Sequence, residues 1–417
     1  MRQFSSLFSQ VVGLVSRYDF NCCVAETNAE RHARGFDSWT QFVSMLFCQL
    51  ARAHSLREIC DGLSSCEGKL THLGLTGAPS RATLAYANRH RPSAMYERLF
   101  GRLYNRFSSE LASSGQTKRR FKFKHKIYSI DSTTIDLCLK MYDWAKFTRA
   151  KGAVKLHLKL DHDGHLPCFA SFTDGKSADI TVARTWKFER DSILVFDRGY
   201  LDYAWYGQLS QDGVYFVTRL RDNADYELVD DTRELMKWNI VCDEVITIEK
   251  VRNTHGLVPL RRVQVQDPDS GKYFTFLTNH HGLEAATVAD IYKQRWQIEL
   301  FFKALKSNLK IKSFLGTSAN AVWTQIWTAL IAILILKYMM LRARWGWSFS
   351  SILAMLRFNL FTHRDLWTWL HSPRDILAAP PGDPNTPLDL EMPEKPPRGS
   401  NRFVPNPILD SMSKQRA

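Results

Sequence analysis

A chain of 417 residues is too long for one ordinary core, so several domains are expected. Its apolar content of 45%, with 12% aromatics, excludes a disordered chain. The net charge of +14 favours a polyanionic partner, nucleic acid first and an anionic membrane second.

The opening "MRQFSSLFSQVVGLVSRYDF" lacks a continuous apolar core and a small-residue cleavage site, so no signal peptide is expected. The eight cysteines include no C-x-x-C pair, which argues against zinc and for reduced thiols in the cytoplasm. Residues 1–115 read as a helical N-terminal domain. Asp37 or Ser38 caps "WTQFVSMLFCQLARAH", and Ser55 with Glu58 forms a capping box. Pro79-Ser80 opens a further helix carrying Arg81, Thr83, Asn88, Arg89 and Arg91, residue types that read phosphates and base edges. A helix-turn-helix-like DNA reader, with Arg81 and Arg89 as contacts, and a plain solvated face both fit.

The basic run Lys118 to Lys126 interleaves with Phe121 and Phe123 and suits a linker that tracks a nucleic-acid backbone. It enters a strand, Lys126 to Ser132, expected to end in Asp131. Two alternating runs flank the His162-Asp163-Gly164 turn and predict a hairpin. "SADITVARTWK" has a cap and helical spacing. "SILVFDRGY" holds a wholly apolar run, the mark of a strand buried on both faces, terminating in Asp197. A helix, "LDYAWYGQLSQ", and a strand, "GVYFVTRLR", follow. These elements and a segment at 286–320 form one α/β domain over 116–220 and 286–320. Between them, 221–285 is β-rich and reads as an insertion.

Helices continue over 321–378. The apolar run of "AVWTQIWTALIAILILKYMML" spans about 11 residues, Ile326 to Leu336, too few for a membrane span and suited to a buried helix. From 379 to 417 the chain holds nine of its fifteen prolines and balanced charge, and is expected to be disordered.

"IYKQRWQIELFFKALKSNLKI", residues 291–311, reads as one helix. Tyr292, Arg295, Glu299, Lys303 and Lys306 fall within an arc of about 80°. Beside them runs an apolar stripe, Ile291, Ile298, Phe302, Leu305 and Leu309. Glu299 either pairs with Arg295 or Lys303 on a solvated face, or joins Asp131 and Asp197, which stand at strand ends where α/β sheets present functional groups. Three acids together call for a hard cation, and Mg²⁺ on oxygen ligands is the natural occupant. A pair of such ions about 3.5–4 Å apart drives in-line phosphoryl transfer, with the neighbouring lysines and arginines on the phosphate backbone.

The spacing Tyr292-x-x-Arg295-x-x-x-Glu299-x-x-x-x-x-x-Lys306 resembles the Y-R-E-K signature of bacterial insertion-sequence DDE transposases of the IS-four type. "IDSTT" at Asp131 and "FDRGY" at Asp197 are similar to that family's two aspartate motifs, although Gly199 replaces the commoner glutamate. The resemblance covers roughly residues 5 to 350. It implies an RNase H-like mixed-sheet catalytic core with a β-rich insertion, preceded by a helical DNA-binding domain. It also implies a catalytic and metal-binding triad of Asp131, Asp197 and Glu299 using two Mg²⁺ ions, with Mn²⁺ as a substitute. Tyr292, Arg295 and Lys306 would grip transposon-end phosphates. Some relatives excise through a hairpin that stacks a flipped base on tryptophan, for which Trp238 and Trp296 are candidates, although residues of this kind are more often core positions.

The implied function is cut-and-paste transposition by a cytoplasmic, nucleoid-associated bacterial enzyme. It would act on double-stranded DNA, not on a membrane, and as a homodimer once two ends are held together. A structure-selective nuclease and a catalytically silent DNA-binding repressor are the alternatives.

Overall fold

The computed structural model describes residues 4–373 apart from 32, 67, 117–119, 139–140, 146–151, 231–238, 250, 252, 254–257 and 269. Trp238 and the Pro-rich tail therefore lie outside the described residues.

The N-terminal part is helical: α1 Leu7–Gly13, α2 Arg17–Glu26, α3 Ser38–Ala51, α4 Leu56–Ser64, α5 Arg81–His90 and α6 Ala94–Ser113. Short polar side chains start most of them. The Asp37 carboxylate accepts from the Thr40 N–H at 2.7 Å, and the Ser55 hydroxyl accepts from the Glu58 N–H at 3.1 Å. Glu58 closes its side of the box one residue earlier than expected, on the His54 N–H at 2.8 Å. The tight turn of a helix-turn-helix is absent between α4 and α5, where residues 65–80 intervene with a 3₁₀ turn at Leu70–Leu73.

The strands are β1 Ile127–Leu137, β2 Gly152–Asp161, β3 Leu166–Asp174, β4 Ile193–Val195, β5 Tyr215–Arg219, β6 Glu227–Asp230, β7 Ile240–Thr247, β8 Leu260–Gln266 and β9 Tyr273–Thr278. They form one sheet in the order β3-β2-β1-β4-β5-β9-β8-β7-β6. β1, β2 and β3 are antiparallel, and β4 and β5 run parallel to β1. This is an RNase H-like core. The β-rich insertion extends the same sheet, because β9 pairs antiparallel with β5, Val217 opposite Thr278.

β1 does not end at Asp131 as its sequence suggests. It pairs with β4 only from Ile127 to Ser129, then continues to Leu137 on β2 alone, with Asp131 opposite Leu158. The run Thr133-Thr134-Ile135 is β-branched and keeps the strand extended once one neighbour is lost.

Helices α7 Asp179–Ala183 and α8 Tyr203–Gln211 join the parallel strands, and α9 Ala285–Lys293 and α10 Trp296–Asn308 follow the insertion. Residues 291–311 are therefore not one helix. At Gln294 and Arg295 the chain tightens into a 3₁₀-like turn, the Arg295 N–H bonding to Tyr292 O and the Ile298 N–H to Arg295 O, both three residues back. Tyr292 thus belongs to the helix before the turn and Glu299 to the one after it.

The last helices are α11 Ala319–Arg342, α12 Phe349–Asn359 and α13 Leu366–His371. α11 is long and apolar enough to cross a membrane, yet 83% of its most apolar stretch is buried inside the protein. Leu330, Ile333 and Leu334 of α11 share one core with Leu46 of α3, Leu99 and Leu103 of α6, and Leu156 and Leu158 of β2. Polar ties cross the same junction. Asn320 donates to Asn88 O and Arg91 O at 2.9 and 2.6 Å, and Gln49 Nε2 donates to Gln325 O at 3.3 Å.

Candidate active site

Asp131 and Asp197 are equivalent in register. Ser129 of β1 lies opposite Val195 of β4 in the last parallel pair, and each aspartate stands two residues further along the chain, Asp131 still on β1 and Asp197 just past β4. Adjacent strands lie about 4.8 Å apart, so the two carboxyls leave the same end of the sheet as neighbours. The first is fixed by the Ser132 N–H, which donates to Asp131 Oδ1 at 2.7 Å. The second caps a 3₁₀ turn, Arg198–Tyr200, and its Oδ1 accepts from the Gly199 N–H at 2.8 Å. A Cβ on Gly199 would meet that oxygen at 2.9 Å, which gives the residue after Arg198 a reason to be glycine.

Glu299 arrives from α10, whose apolar stripe, including Ile298, Phe302 and Leu305, is buried. Arg295, just before α10, ion-pairs with Glu299 Oε1 and stands 3.8 Å from Asp131 Oδ2. Its guanidinium is itself largely buried, and the expected pairing of Glu299 with Arg295 is present. Burial pushes the Asp131 carboxyl up to about 7, and the negative charges of Asp197 and Glu299 push the same way. The Ser132 N–H and Arg295 pull it down.

Among the described residues, no three His, Cys, Asp or Glu side chains are grouped tightly enough to hold a metal ion. Asp197 and Glu299 do come close enough to act on Asp131, with a guanidinium in contact with Asp131 and Glu299. The donor set, carboxylate oxygens without thiol or imidazole, fits a hard divalent cation, and its excess negative charge is only partly met by Arg295.

The other residues divide. Tyr292 is half-buried, its ring 5.1 Å from Phe276 and 5.9 Å from the Arg295 guanidinium. Burial pushes its phenol up, against the pull of Arg295 and Arg219. Lys306 Nζ donates to Thr134 O at 2.7 Å, tying the far end of α10 to β1. Lys303 is exposed, and Trp296 is 56% exposed, which excludes it from the core. On α5, Arg81 and Arg89 are exposed, whereas Asn88 and Arg91 are buried. Asn88 accepts from Gln41, and Arg91 donates to Asp37 O at 2.8 Å, so both are structural.

Arg219 escaped the sequence reading. It ends β5, on the same edge as Asp197, and its strand-end position after "YFVT" was the available signal.

A family model described as a transposase DDE domain matches residues 122–335. The chain belongs to the DDE transposases. Residues 3–76 also match a model described as a domain of unknown function (DUF4372). A Sinorhizobium fredii protein named as transposase y4zB is 33% identical over 264 residues, 62% of this chain and 71% of its own length. A Geobacillus stearothermophilus protein named as a transposase for insertion sequence element IS5377 is 27% identical, covering 54% of this chain and 59% of its own. The piggyBac transposase synaptic complex with hairpin DNA aligns over 91% of this chain and 87% of that one, at 11% identity and a TM-score of 0.44. DDE transposases work on DNA with divalent metal ions, and this chain is an enzyme of that kind.

Proposed function

We propose that this DDE transposase excises its element by cut and paste, with Asp131, Asp197 and Glu299 holding two Mg²⁺ ions, for which Mn²⁺ substitutes. The observation that carries the reading is the register-equivalent pair of aspartates at one sheet end, with Glu299 delivered beside them through Arg295. Bound there, the ions would activate a water or 3′-hydroxyl nucleophile and stabilise the leaving oxygen.

The chain's own backbone and side chains do the rest. Ser132 N–H and Gly199 N–H each hold one carboxylate oxygen, which leaves the second oxygen of each aspartate directed by its strand. Arg295, on moving from Glu299 to a phosphate, frees that acid, so docking of the DNA end and assembly of the acidic site are one event. Lys303, Lys306 and Tyr292 line the approach to the acids and hold the end backbone. Arg81 and Arg89 of α5 contact the terminal repeat, and the exposed ring of Trp296 offers a stacking platform. Two ends of one element must be held together, so the working species is a homodimer bridged by DNA, acting at the cytoplasmic nucleoid. The boundaries 1–115, 116–220 with 286–320, 221–285 and 321–378 mark the parts with separate tasks.

Asp131→Asn, Asp197→Asn and Glu299→Gln should each abolish Mg²⁺- or Mn²⁺-dependent cleavage while still shifting end DNA on a gel. A variant that cuts at the wild-type rate removes its residue from the site.

A further inference from the structure

The ladder that aligns the two aspartates stops before it reaches them. β1 and β4 pair only as far as Ser129 and Val195, two residues short of Asp131 and Asp197. Among the described residues, no ladder pair joins the two strands beyond that point, so something else must set how far apart the carboxyls stand. Ions about 3.5–4 Å apart tolerate little error in that separation.

Helix α7 spans the gap on the face of the sheet away from α10. Leu158, opposite Asp131, shares a core with Phe302 and Leu305 of α10, whereas Ala183 of α7 shares another with Ile130, Phe196 and Tyr200. Each end of α7 is tied by charge. At its start, Asp179 Oδ1 is buried and stands 3.2 Å from Lys155 Nζ and 3.5 Å from His157 Nδ1, both on β2. Lys155 also donates to Ser177 O at 3.0 Å. Burial pushes the His157 imidazole down to about 4, so the countercharge of Asp179 is Lys155. At its end, Arg184 ion-pairs with Asp202, which caps α8 by accepting from the Trp205 N–H at 2.9 Å.

The two ties reach the two aspartates. His157 lies opposite Ser132 and Lys155 opposite Thr134, so the first grips β2 beside the stretch of β1 that carries Asp131. The second grips the segment that leaves the turn after Asp197. The dimensions agree. β2 and β4 flank β1, so two strand spacings, about 10 Å, separate them. Asp179 to Arg184 rises about 8 Å, and the two side chains supply the rest. Burial pushes the Tyr200 phenol up, and Asp131, Asp179 and Asp197 push the same way, so one side chain lies within reach of all three charges. A first-turn aspartate ordinarily serves the dipole of its own helix. Five residues make little dipole, and Ala178 supplies no side-chain cap, so α7 depends on the tie to β2.

Resting on the transposase reading above, we infer that Asp179, anchored by Lys155, is a positioning residue of the cleavage site. It locks α7 as a brace between β2 and the segment after Asp197, and the brace fixes the separation of Asp131 and Asp197.

The test uses the full chain and reads ion binding apart from cutting. Asp179→Asn and Lys155→Met each leave one half-buried charge unpaired, and each should lower the melting temperature. Lys155→Met/Asp179→Asn leaves none and should melt near the wild type. Mn²⁺ binding is followed by electron paramagnetic resonance on the complex with precleaved end DNA, which offers nothing to cut. In the double variant it should weaken about tenfold, and cleavage at saturating end DNA should fall about tenfold, as when a partner behind a metal-binding carboxylate is lost. End-DNA affinity should not change. Arg184→Gln, at the exposed end of the brace, should move ion binding and cleavage the same way by a smaller factor. A double variant whose ion binding and cleavage recover together with its melting temperature would make Asp179 a fold residue and overturn the brace. Cleavage lost with Mn²⁺ affinity intact would overturn it as well. A wild-type complex that binds no Mn²⁺, or a wild-type chain that cuts no end DNA, would instead overturn the transposition reading.

Discussion

Oδ2 of Asp131 lies 3.8 Å from Nη1 of Arg295, so the most perturbed acid of the site is tuned by a side chain expected to hold DNA. Arg295 favours the ionised form of Asp131, whose carboxyl already sits at about 7. Removing the guanidinium should raise that carboxyl further. Arg295→Gln should therefore shift the acid limb of the cleavage profile to higher pH, losing more activity at about pH 7 than at about pH 9. A profile that falls by the same factor at every pH would mean that Arg295 acts on DNA alone.

Ionising Asp131 costs the fold stability. Its folded pKa of about 7 stands above the ordinary 3.8, so the folded state holds its proton more tightly than the unfolded chain does. The stability this represents is present below about pH 4 and is lost as the pH rises to about 7. Asp131→Asn escapes the loss and should melt above the wild type at about pH 8, with the gap closing toward about pH 4. Mg²⁺ should raise the wild-type melting temperature and leave the variant's nearly unmoved. A variant that melts lower throughout would show that the carboxylate is structurally required.

Gly199→Ala inserts a Cβ 2.9 Å from Asp197 Oδ1. The carboxylate must rotate or the turn must shift, and misplacement near 1 Å at a reacting group costs up to about a hundredfold. Cleavage should drop at least about tenfold with unchanged melting and end binding. Wild-type cutting by this variant would show that Asp197 tolerates another rotamer.

Gln325 lies buried on α11 and donates to Lys310 O at 2.6 Å and Ser313 O at 2.9 Å, while accepting from the Leu315 N–H at 3.0 Å. Gln325→Leu lengthens the apolar run but strands those groups. Leaving one buried polar group unpaired costs about 1–3 kcal/mol, so denaturant unfolding should register a loss of at least about 2 kcal/mol. An unchanged midpoint would mean that water replaces the amide.

Local chemistry was legible in the sequence. The caps at Asp37, Ser55 and Ser80 are realised, as are the buried run before Asp197 and the hairpin at His162 to Gly164. What failed depended on neighbours. Asp131 looked like a strand end because the chain turns polar there, yet β2 carries β1 six residues further. Helical spacing across 291–311 hid the turn at Arg295, since a 3₁₀ turn alters the angle per residue without altering composition. Asn88 and Arg91 looked like DNA readers because residue type carries no information on which face packs. The joining of the β insertion to β5 rests on a pairing between residues about sixty apart, which no local pattern encodes.

The core that unites α3, α5 and α6 with α11 has a hereditary consequence. Mobile elements of one kind meet inside a cell and exchange sequence by crossing over. A crossover anywhere between Ser113 and Ala319 would marry the first helices of one copy to the α11 of another. Asn320 would then face an unfamiliar Asn88 and Arg91, and Gln49 an unfamiliar Gln325. Side chains packed at crystalline density tolerate such mismatches poorly. The two ends of the reading frame should thus descend together as one inherited block, while the stretch encoding β6 to β8 is free to be traded between lineages.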